Sequence, residues 1–220
     1  MESTYRPTAR TTPTRYRERA HYDHETVHRI LDEALICHLG YISAGRPVVL
    51  PTTHARLGET LNLHGSTGNG PMLAAKAGSG LPVCVTATLV DALVLARSAL
   101  HHSLAYRSVV VVGDARLVED AAEKVRALHC LLDHIAPGRA ADCRTPNARE
   151  LAATAVLALD LVEVSAKVRT GGPADEPEDF ALPHWAGVMP LSLSAGTPVP
   201  ADDLDPATPV PPYLTSYRRP

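Results

Sequence analysis

The sequence predicts an α+β protein built around a mostly antiparallel β-barrel of six to seven strands with flanking helices. The first observation is a series of short segments with alternating apolar and polar residues, typical of strands, between residues 35 and 118. The second is that segments with helical spacing mainly flank these strands, whereas a parallel sheet would alternate strand and helix. The third is the even spacing of the strands, which favours a closed barrel because closure removes exposed edges.

Composition sets the limits of the interpretation. The 220 residues are enough for one domain with its own core, and 21 basic against 24 acidic residues give a net charge of -3. This balance argues against a nucleic-acid partner or an anionic membrane surface. No segment reaches the roughly 18 apolar residues of a membrane span. The four cysteines are far apart and lack zinc-type spacing, so we predict free buried thiols in a cytoplasmic protein, and no metal site.

The N-terminal part divides into an arm and the start of a domain. Residues 1–20 are rich in threonine and arginine and are predicted to be a flexible basic arm. The domain is expected to cover residues 21–194. Asp23 is a typical N-cap residue, and the spacing of the apolar residues after it predicts a helix, with one face formed by Val27, Ile30, Leu31 and Ala34.

A change of period from residue 35 predicts strands. The segments LICHLGYI, PVVLPTTHAR and TLNLH are expected to form a three-stranded meander, and a short helix is predicted from Pro71 to about Ala77. Three further strands are predicted for LPVCVTATLV, ALVLARSAL and YRSVVVVGDARLV. The position of Cys84 in the middle of the first of these predicts a core residue.

The C-terminal third returns to helices and then to a strand. Residues 119–135 have helical spacing and end at Pro137–Gly138, and the predicted apolar stripe consists of Val125, Leu128, Leu132 and Ile135. Asn147 followed by Glu150 indicates a capped helical turn. The segment AVLALDLVEVSAKVR is long enough for a last barrel strand. Residues 195–220 contain seven of the 19 prolines and are predicted to be an extended tail.

The segment LHGSTGNGP, residues 63–71, joins a strand to a helix through a glycine-rich turn. It matches neither the P-loop nor the G-x-G-x-x-G pattern. Because Pro71 begins a helix, free backbone N–H groups from Ser66 to Gly70 are expected at the helix start, a geometry that suits a phosphate. The hydroxyls of Ser66 and Thr67 and the imidazole of His64 are further donors. The alternative is a turn whose glycines only satisfy backbone dihedral angles.

A second polar segment, RSALHHSLAYRSVVVVG, covers residues 97–113. Adjacent His101 and His102 point to opposite faces of an extended chain, so they cannot chelate one metal ion together. The hydroxyl and guanidinium groups that follow concentrate at the start of the next strand, where Arg107 can bind a phosphate or a carboxylate in bidentate fashion. The alternative is a solvated bend before a core strand. The polar residues are Ser103, Tyr106, Arg107 and Ser108.

Several segments together resemble the nitroimidazole-resistance (nitroimidazole-reductase-like) branch of the pyridoxamine 5'-phosphate oxidase-like flavin proteins. They occur in order between about residues 20 and 192 and include VHRILDEALICHLGYI, LHGS, YRSVVVVGDARLVED, SAKVRTGGP and PHWAGVMPL. The resemblance implies a split β-barrel that forms a homodimer through its sheet, with FMN in the groove between the subunits.

The same resemblance implies positions for the flavin site. A strand is expected beside the isoalloxazine, a turn near the ribityl phosphate, and polar residues around the pocket, with Trp185 close by. His64 is expected to be the catalytic residue, as proton donor or substrate anchor. The implied flavin-binding residues are Val49, Leu50, Pro51, Thr52, His64, Gly65, Ser66, Asn69, Ser103, Tyr106, Arg107, Ser108 and Trp185.

The sequence departs from the family pattern after His-Gly-Ser. Asn69, Gly70 and Pro71 stand where a serine and a basic residue are usual, so a phosphate-binding charge is missing unless Lys76 replaces it. The loss of one charge-assisted hydrogen bond corresponds to roughly ten- to a hundredfold weaker binding. FMN is therefore expected to be loosely held.

Several functions remain open from the sequence. The first is an FMN-dependent oxidoreductase acting on a small molecule such as a nitroaromatic. The second is a haem-binding or haem-degrading split barrel, with His64, His101 or His102 as axial ligand. A reductase that uses the deazaflavin F420 and a non-catalytic flavin-binding dimer are further alternatives.

Overall fold

The computed structural model describes residues 4–78 and 80–218 and confirms the predicted α+β split-barrel fold class. The sheet within these residues is antiparallel throughout and contains nine strands. They are β1 (Ala20–His21), β2 (Ile36–Ser43), β3 (Arg46–Leu57), β4 (Thr60–Ser66), β5 (Leu81–Leu95), β6 (Ser103–Leu117), β7 (Thr154–Asp160), β8 (Glu163–Arg169) and β9 (Gly187–Pro190). The helices are α1 (His24–Glu33), α2 (Gly70–Ala77), α3 (Ala121–Ile135), α4 (Ala148–Ala153) and α5 (Pro212–Thr215).

Six of the strands form the closed ring. The strand order is β1-β8-β6-β7-β4-β3-β2-β5-β9, and an additional pairing of β5 with β6 closes the barrel. The first half of β6 pairs with β8 and its end pairs with β7, so β8, β1 and β9 extend the sheet beyond the ring. The short β1 and β9 were not predicted because two and four residues are too few to show a period.

Two strand predictions in the barrel were wrong in their boundaries. The two strands predicted between residues 81 and 100 are one strand, β5, which continues through a bulge between Val90 and Ala92. The single strand predicted from residue 155 to residue 169 is two strands, β7 and β8. The reversal between them contains neither glycine nor proline, so the sequence shows no turn signal there; the Val162 N–H donates to the Asp160 carbonyl.

Helix α1 follows the prediction. The Asp23 carboxylate accepts a hydrogen bond from the Thr26 N–H at 2.7 Å and caps the helix, and Val27, Ile30 and Leu31 are fully buried against the barrel. Burying each such side chain stabilises the fold by about 1.5 to 3 kcal/mol. The prediction of a core position for Cys84 was wrong: β5 buries the neighbouring odd-numbered residues and exposes Cys84 on the outer surface.

Helix α3 has the predicted length but a rotated buried face. Ala127 and Leu131 are buried, whereas Ile135, at the end of the predicted stripe, is exposed. The reason is that α3 packs on a small second cluster formed by Val118, Val156 and Ala158, which selects a different side of the helix. The predicted helix end is confirmed, since Gly138 has a φ of +91° just beyond it. At α4, the Asn147 and Glu150 side chains form the predicted capping box.

Part of the N-terminal arm packs on the domain. Residues 1–3 lie outside the described part of the chain. Tyr5 and Thr11 are buried, and the Tyr5 hydroxyl donates to Glu59 Oε2 at 2.8 Å. Burial, together with Glu59, raises the pKa of Tyr5 above its ordinary value, so the phenol remains a donor. The side chains of Thr8 and Arg10 bind Glu163.

The proline-rich tail is largely irregular. Residues 195–211 contain no helix or strand, and α5 follows them. The tail is attached to the domain through Tyr213, whose hydroxyl donates to Asp142 Oδ2 at 2.6 Å. None of the helices in the described residues has the length and apolar character needed to cross a membrane.

Candidate cofactor site

The barrel opens between β3 and β4. β3 pairs with β2 from Arg46 to Thr53, but pairs with β4 only from His54 to Leu57. Beyond that point β4 continues to Ser66 beside β7. Within the described chain, the segment Arg46–Thr53 therefore has one unpaired edge, and we call the opening beside it the split.

The β3 side of the split contains the residues expected beside a flavin ring. Val49 and Pro51 are exposed on the outer surface of the sheet, and Val49 is 62 % exposed. Leu50 and Thr52 point to the opposite face and are less exposed. Backbone groups along the free edge are available to a ligand, but Pro47 and Pro51 have no N–H, so the edge offers more acceptors than donors.

The β4 side of the split begins at His64. Its Nδ1 atom lies 3.5 Å from the Thr53 hydroxyl, where the two strands separate. Desolvation lowers the pKa of His64, so its imidazole is neutral near pH 7 and can either accept or donate a proton. Gly65 follows, and a Cβ atom there would lie 2.8 Å from Nδ2 of Asn69 and 3.2 Å from Cε of Met72. A side chain at Gly65 would therefore require the Asn69 and Met72 side chains to shift.

The glycine-rich turn does not present the free donors that the sequence predicted. The Thr67 N–H donates to the Ala153 carbonyl at 3.0 Å, and the Asn69 N–H donates to the Ser66 carbonyl at 2.9 Å. The Gly68 N–H donates to the Ser66 hydroxyl. The expectation of free N–H groups was wrong for these three residues, because the turn closes on itself and on β7. The turn thus favours the alternative in which its glycines serve packing and backbone geometry.

Arg107 is bound by carboxylates of its own chain. Its guanidinium donates to Glu33, with Nη2 at 2.7 Å, and to Asp91, with Nε at 3.0 Å. The hydrogen bonds to Glu33 and then to Asp91 raise the pKa of Arg107 well above its ordinary value. The sequence left a phosphate or a carboxylate open as the partner of Arg107, and in the structure its partners are carboxylates. Arg107 therefore stabilises the junction of α1, β5 and β6, and its donors are turned away from the split.

A broad face of the sheet is exposed between the split and β8, and we call it the outer face. One row across it pairs Pro51, His38, Thr86, Val110 and Ser165, and a second row pairs Val49, Gly40, Cys84, Val112 and Glu163. Tyr106 and Ser108 continue this face along β6. Pro51 and Val110 are three strand spacings apart, about 14 Å. The residues expected around the flavin from β3 and from β6 therefore lie on one face without touching each other within a single chain.

His38 is a residue that the sequence analysis did not identify. It is exposed at the middle of the outer face, between buried Cys37 and Leu39. The alternation in LICHLGYI predicts that His38 lies on the opposite face of the strand from Cys37 and Leu39, but it does not tell which of the two faces is buried.

The tip of the β5–β6 hairpin contains the second group of predicted residues. A 3₁₀ turn at Ala99–His101 connects the strands, with Ser103 exposed at the start of β6. The Nδ1 atom of exposed His102 lies 3.0 Å from the Ser98 carbonyl, so Nδ1 is the protonated nitrogen and donates. Asp175 accepts hydrogen bonds from the backbone of Arg97 and Ser98 and supports the turn.

Apolar side chains surround this tip. A row across β6, β5 and β9 pairs Leu104, Leu93 and Met189. Trp185 is 67 % exposed, and its ring covers Gly187 so closely that a Cβ there would lie 2.9 Å from it. We call this row and Trp185 the tip patch. Trp185 thus lies at the hairpin end of the sheet, as does Ser103, and not beside the glycine-rich turn.

Comparison with known proteins assigns the chain to a family. The family model described as pyridoxamine 5'-phosphate oxidase matches residues 23–168, more than half of the chain. The chain therefore belongs to the pyridoxamine 5'-phosphate oxidase family. A search of curated proteins found no match.

Two solved structures are similar over nearly the whole chain. The flavocytochrome Anf3 from Azotobacter vinelandii is 38 % identical, covers 97 % of this chain and 99 % of its own, and has a TM-score of 0.89. The FAD and haem binding protein from Mycobacterium smegmatis is 35 % identical, covers 90 % of this chain and 96 % of its own, and has a TM-score of 0.84.

A third structure is similar in fold. It is a candidate 5-nitroimidazole antibiotic resistance protein from Bacteroides thetaiotaomicron VPI-5482, with 22 % identity, 66 % of this chain and 84 % of its own covered, and a TM-score of 0.56. At this identity the likeness extends to the split-barrel fold alone.

Proposed function

We propose that the protein is a homodimeric redox protein that binds a flavin beside the split and a haem at the tip patch. The observation that carries the proposal is the free β3 edge beside an exposed sheet face, in a chain 38 % identical to a flavocytochrome over nearly its full length. When bound, a flavin exchanges one or two electrons and a haem iron exchanges one.

The residues at the split fit a flavin ring. The free edge of Arg46–Thr53 offers C=O groups, and N–H groups except at Pro47 and Pro51, to the polar rim of a flat ring, and Val49 offers an apolar surface beside it. His64 lies where β3 and β4 separate. Its imidazole is neutral, so it can hold a proton or deliver one to a small substrate, of which a nitroaromatic is one class.

The turn favours FAD over the FMN that the sequence suggested. Three of its N–H groups are already bonded within the chain, and no basic residue follows Ser66 until Lys76. This is a weak site for a terminal phosphate dianion, whereas FAD has a diphosphate that extends beyond the turn to other donors. The name of the Mycobacterium smegmatis relative, an FAD and haem binding protein, supports the same choice.

A second copy of the chain would complete the flavin site. The outer face exposes Ile42, Val49, Cys84 and Val90 in a single chain. Exposed apolar side chains on a sheet face are a common feature of interfaces, and here polar residues such as His38 and Thr86 lie among them. Packing against a second outer face would bury these side chains and would place a second chain beside the split.

His102 is the best placed of the three histidines considered as haem ligands. Its Nδ1–H donates to the Ser98 carbonyl, so its Nε2 has a lone pair and, among the described residues, no hydrogen-bond partner. Metal-binding histidines almost always donate their other ring N–H in this way. Leu104, Met189 and Trp185 supply the apolar surroundings that a haem requires.

The test is to identify what co-purifies with the untagged protein. We expect a flavin spectrum together with a Soret band, FAD on chromatography of the acid-released flavin, and a dimer by light scattering. A His102→Ala variant should lose the Soret band and keep the flavin, while His129→Ala on α3 should keep both. A colourless protein, released F420 in place of FAD, or an unchanged Soret band in His102→Ala would contradict the corresponding part of the proposal.

A further inference from the structure

The first turn of α1 contains two histidines on one side. In the segment HETVH, His24 and His28 are four residues apart, a spacing that places both side chains on the same face of a helix. Their ring centroids are 5.3 Å apart. Glu25 lies between them in sequence but is exposed on another side of the helix.

A carboxylate from another part of the chain lies between these rings. Glu59, in the turn that joins β3 to β4, has its Oε1 atom 3.4 Å from Nδ1 of His24 and 3.2 Å from Nε2 of His28. Both imidazoles therefore approach the same oxygen atom. All three ligand atoms lie within 4.8 Å of one another.

Tyr5 from the N-terminal arm covers this group. Its hydroxyl donates to the other oxygen of Glu59, Oε2, and lies 2.8 Å from Nε2 of His28. Its ring stacks on His24 with centroids 4.1 Å apart and planes inclined by 15°. Because the hydroxyl donates to the carboxylate, Nε2–H of His28 is the donor in the second contact, and an ion bound at Nε2 would replace that hydrogen bond.

The separations match the edges of a tetrahedral metal site. Ligands at about 2.0 to 2.2 Å from a zinc ion lie roughly 3.3 Å from each other. The two observed separations, 3.2 and 3.4 Å, agree with this value. We propose that His24, His28 and Glu59 bind a divalent zinc-type ion, and that Tyr5 closes the site over it.

A hydrogen-bonded anchor for the arm is the alternative. The bond from the Tyr5 hydroxyl to Glu59 Oε2 would by itself attach the arm, and the two imidazoles would then form only ion pairs with Oε1. Two imidazoles and a carboxylate are a common ligand set for zinc, and the fourth position is then open to water. The side chains of His24 and Glu59 are 28 % and 47 % exposed, so an ion can enter.

The site is separate from the proposed flavin and haem sites. Glu59 precedes one end of β4 and His64 lies near its other end, about 17 Å away along the strand. The ion would join three segments: the arm, the start of α1 and the β3–β4 turn. Its role would be to hold the arm on the barrel, so the inference does not depend on the proposed redox function.

The experiment uses full-length untagged protein that has been treated with a chelator and dialysed. Zinc chloride is titrated calorimetrically, and bound zinc is counted by elemental analysis, which distinguishes it from haem iron. Trypsin digestion reports on the arm, which contains Arg10 and Arg15. We expect one zinc ion per chain and slower cleavage of the arm when zinc is bound.

Glu59→Gln is the decisive variant, because the amide oxygen can still accept the Tyr5 hydroxyl while the ligand charge is lost. We expect this variant to bind zinc more weakly, by a factor larger than the roughly 10- to 100-fold caused by losing a residue that only supports a metal ligand. Zinc should no longer slow the cleavage of the arm in this variant. Asp179→Asn is the matched control, since Asp179 belongs to a second group of potential ligands with His101 and Asp175.

Unchanged cofactor spectra and circular dichroism would show that both variants are folded. The proposal is overturned if the wild-type protein binds no zinc, if Glu59→Gln keeps the wild-type affinity, or if Asp179→Asn loses zinc instead.

Discussion

The Thr53 hydroxyl lies 3.5 Å from Nδ1 of His64, at the point where β3 and β4 separate. This contact joins the last residue of the free β3 edge to the first polar residue on the opposite side of the split. Two strands of the barrel therefore determine the position of the imidazole. The glycine-rich turn follows His64 in the sequence, so it does not determine this position.

Replacing His64 should weaken flavin retention. We expect His64→Ala to lose flavin on dialysis, and Ser66→Ala to lose less, because the Ser66 hydroxyl is already bonded to the Gly68 N–H. His129→Ala is the control. Equal flavin contents in all three variants would contradict the site.

Flavin binding should also depend on pH through His64. Desolvation lowers the pKa of His64 below the value of about 6.5 in the unfolded chain, so protonation of His64 should weaken flavin binding only below about pH 6.5. Because the unfolded chain takes up this proton more readily than the folded chain, acid below this pH also destabilises the fold.

Replacing Arg107 should affect stability more than flavin binding. Arg107→Gln leaves Glu33 and Asp91 without their shared cation, and we expect a loss of about 2 to 3 kcal/mol in the free energy of unfolding, as for other charged hydrogen bonds. Arg116→Gln removes an exposed pair with Glu123 and should cost less than about 1 kcal/mol. Urea denaturation measures both. Loss of flavin from a fully stable Arg107→Gln protein would instead make Arg107 a flavin ligand.

The outer face should form the dimer. Val110 lies in one of its central rows, and an arginine there would place a charge within an apolar interface. We expect Val110→Arg to be monomeric by light scattering and to lose its flavin. Ile135→Arg, at the exposed end of α3, should remain a flavin-bound dimer. A monomer that keeps its full flavin content would refute the idea that two chains share the site.

The cysteines should differ in reactivity. Burial raises the pKa of Cys37 to about 12, so almost no thiolate exists at pH 8 and alkylation requires unfolding. Cys84 is exposed on the outer face of one chain and should be protected by the dimer. Mass spectrometry of briefly alkylated protein should find Cys84 labelled faster in Val110→Arg than in the wild type. Rapid labelling of Cys37 in the native protein would be inconsistent with this structure.

The capping box of α4 should make a measurable, pH-dependent contribution. Asn147→Ala removes the side-chain acceptor of the Glu150 N–H and should cost about 1 kcal/mol. Hydrogen bonds from Arg144 and from the Asn147 N–H lower the pKa of Glu150 to about 2. The stabilisation by the Glu150 carboxylate is therefore complete above its unfolded pKa, about 4.3, and is lost as the pH falls towards 2. The difference in the free energy of unfolding between wild type and Glu150→Gln should shrink between pH 5 and pH 2. Arg149→Ala is the control. A difference that does not change with pH would exclude the Glu150 carboxylate as the cause.

Elements defined by neighbouring residues could be predicted from the sequence. The Asp23 cap, the Asn147–Glu150 box and the alternation in β2 depend on contacts within a few residues, and each appears in the structure as predicted. The junction of β7 and β8 could not be predicted, because its reversal lacks the residues that usually mark a turn.

The functional contacts depended on residues far apart in the chain. Arg107 lies 74 positions from Glu33, and Tyr5 lies 54 positions from Glu59, so nothing in the local sequence distinguishes a carboxylate partner from a phosphate or a packed arm from a loose one. By itself the sequence determined the helices and the longer strands, although not all of their boundaries, since backbone preference and side-chain period act over a few residues. Only the tertiary structure decided which face of the sheet is exposed, where the barrel splits and which charges meet, because these depend on how the barrel closes.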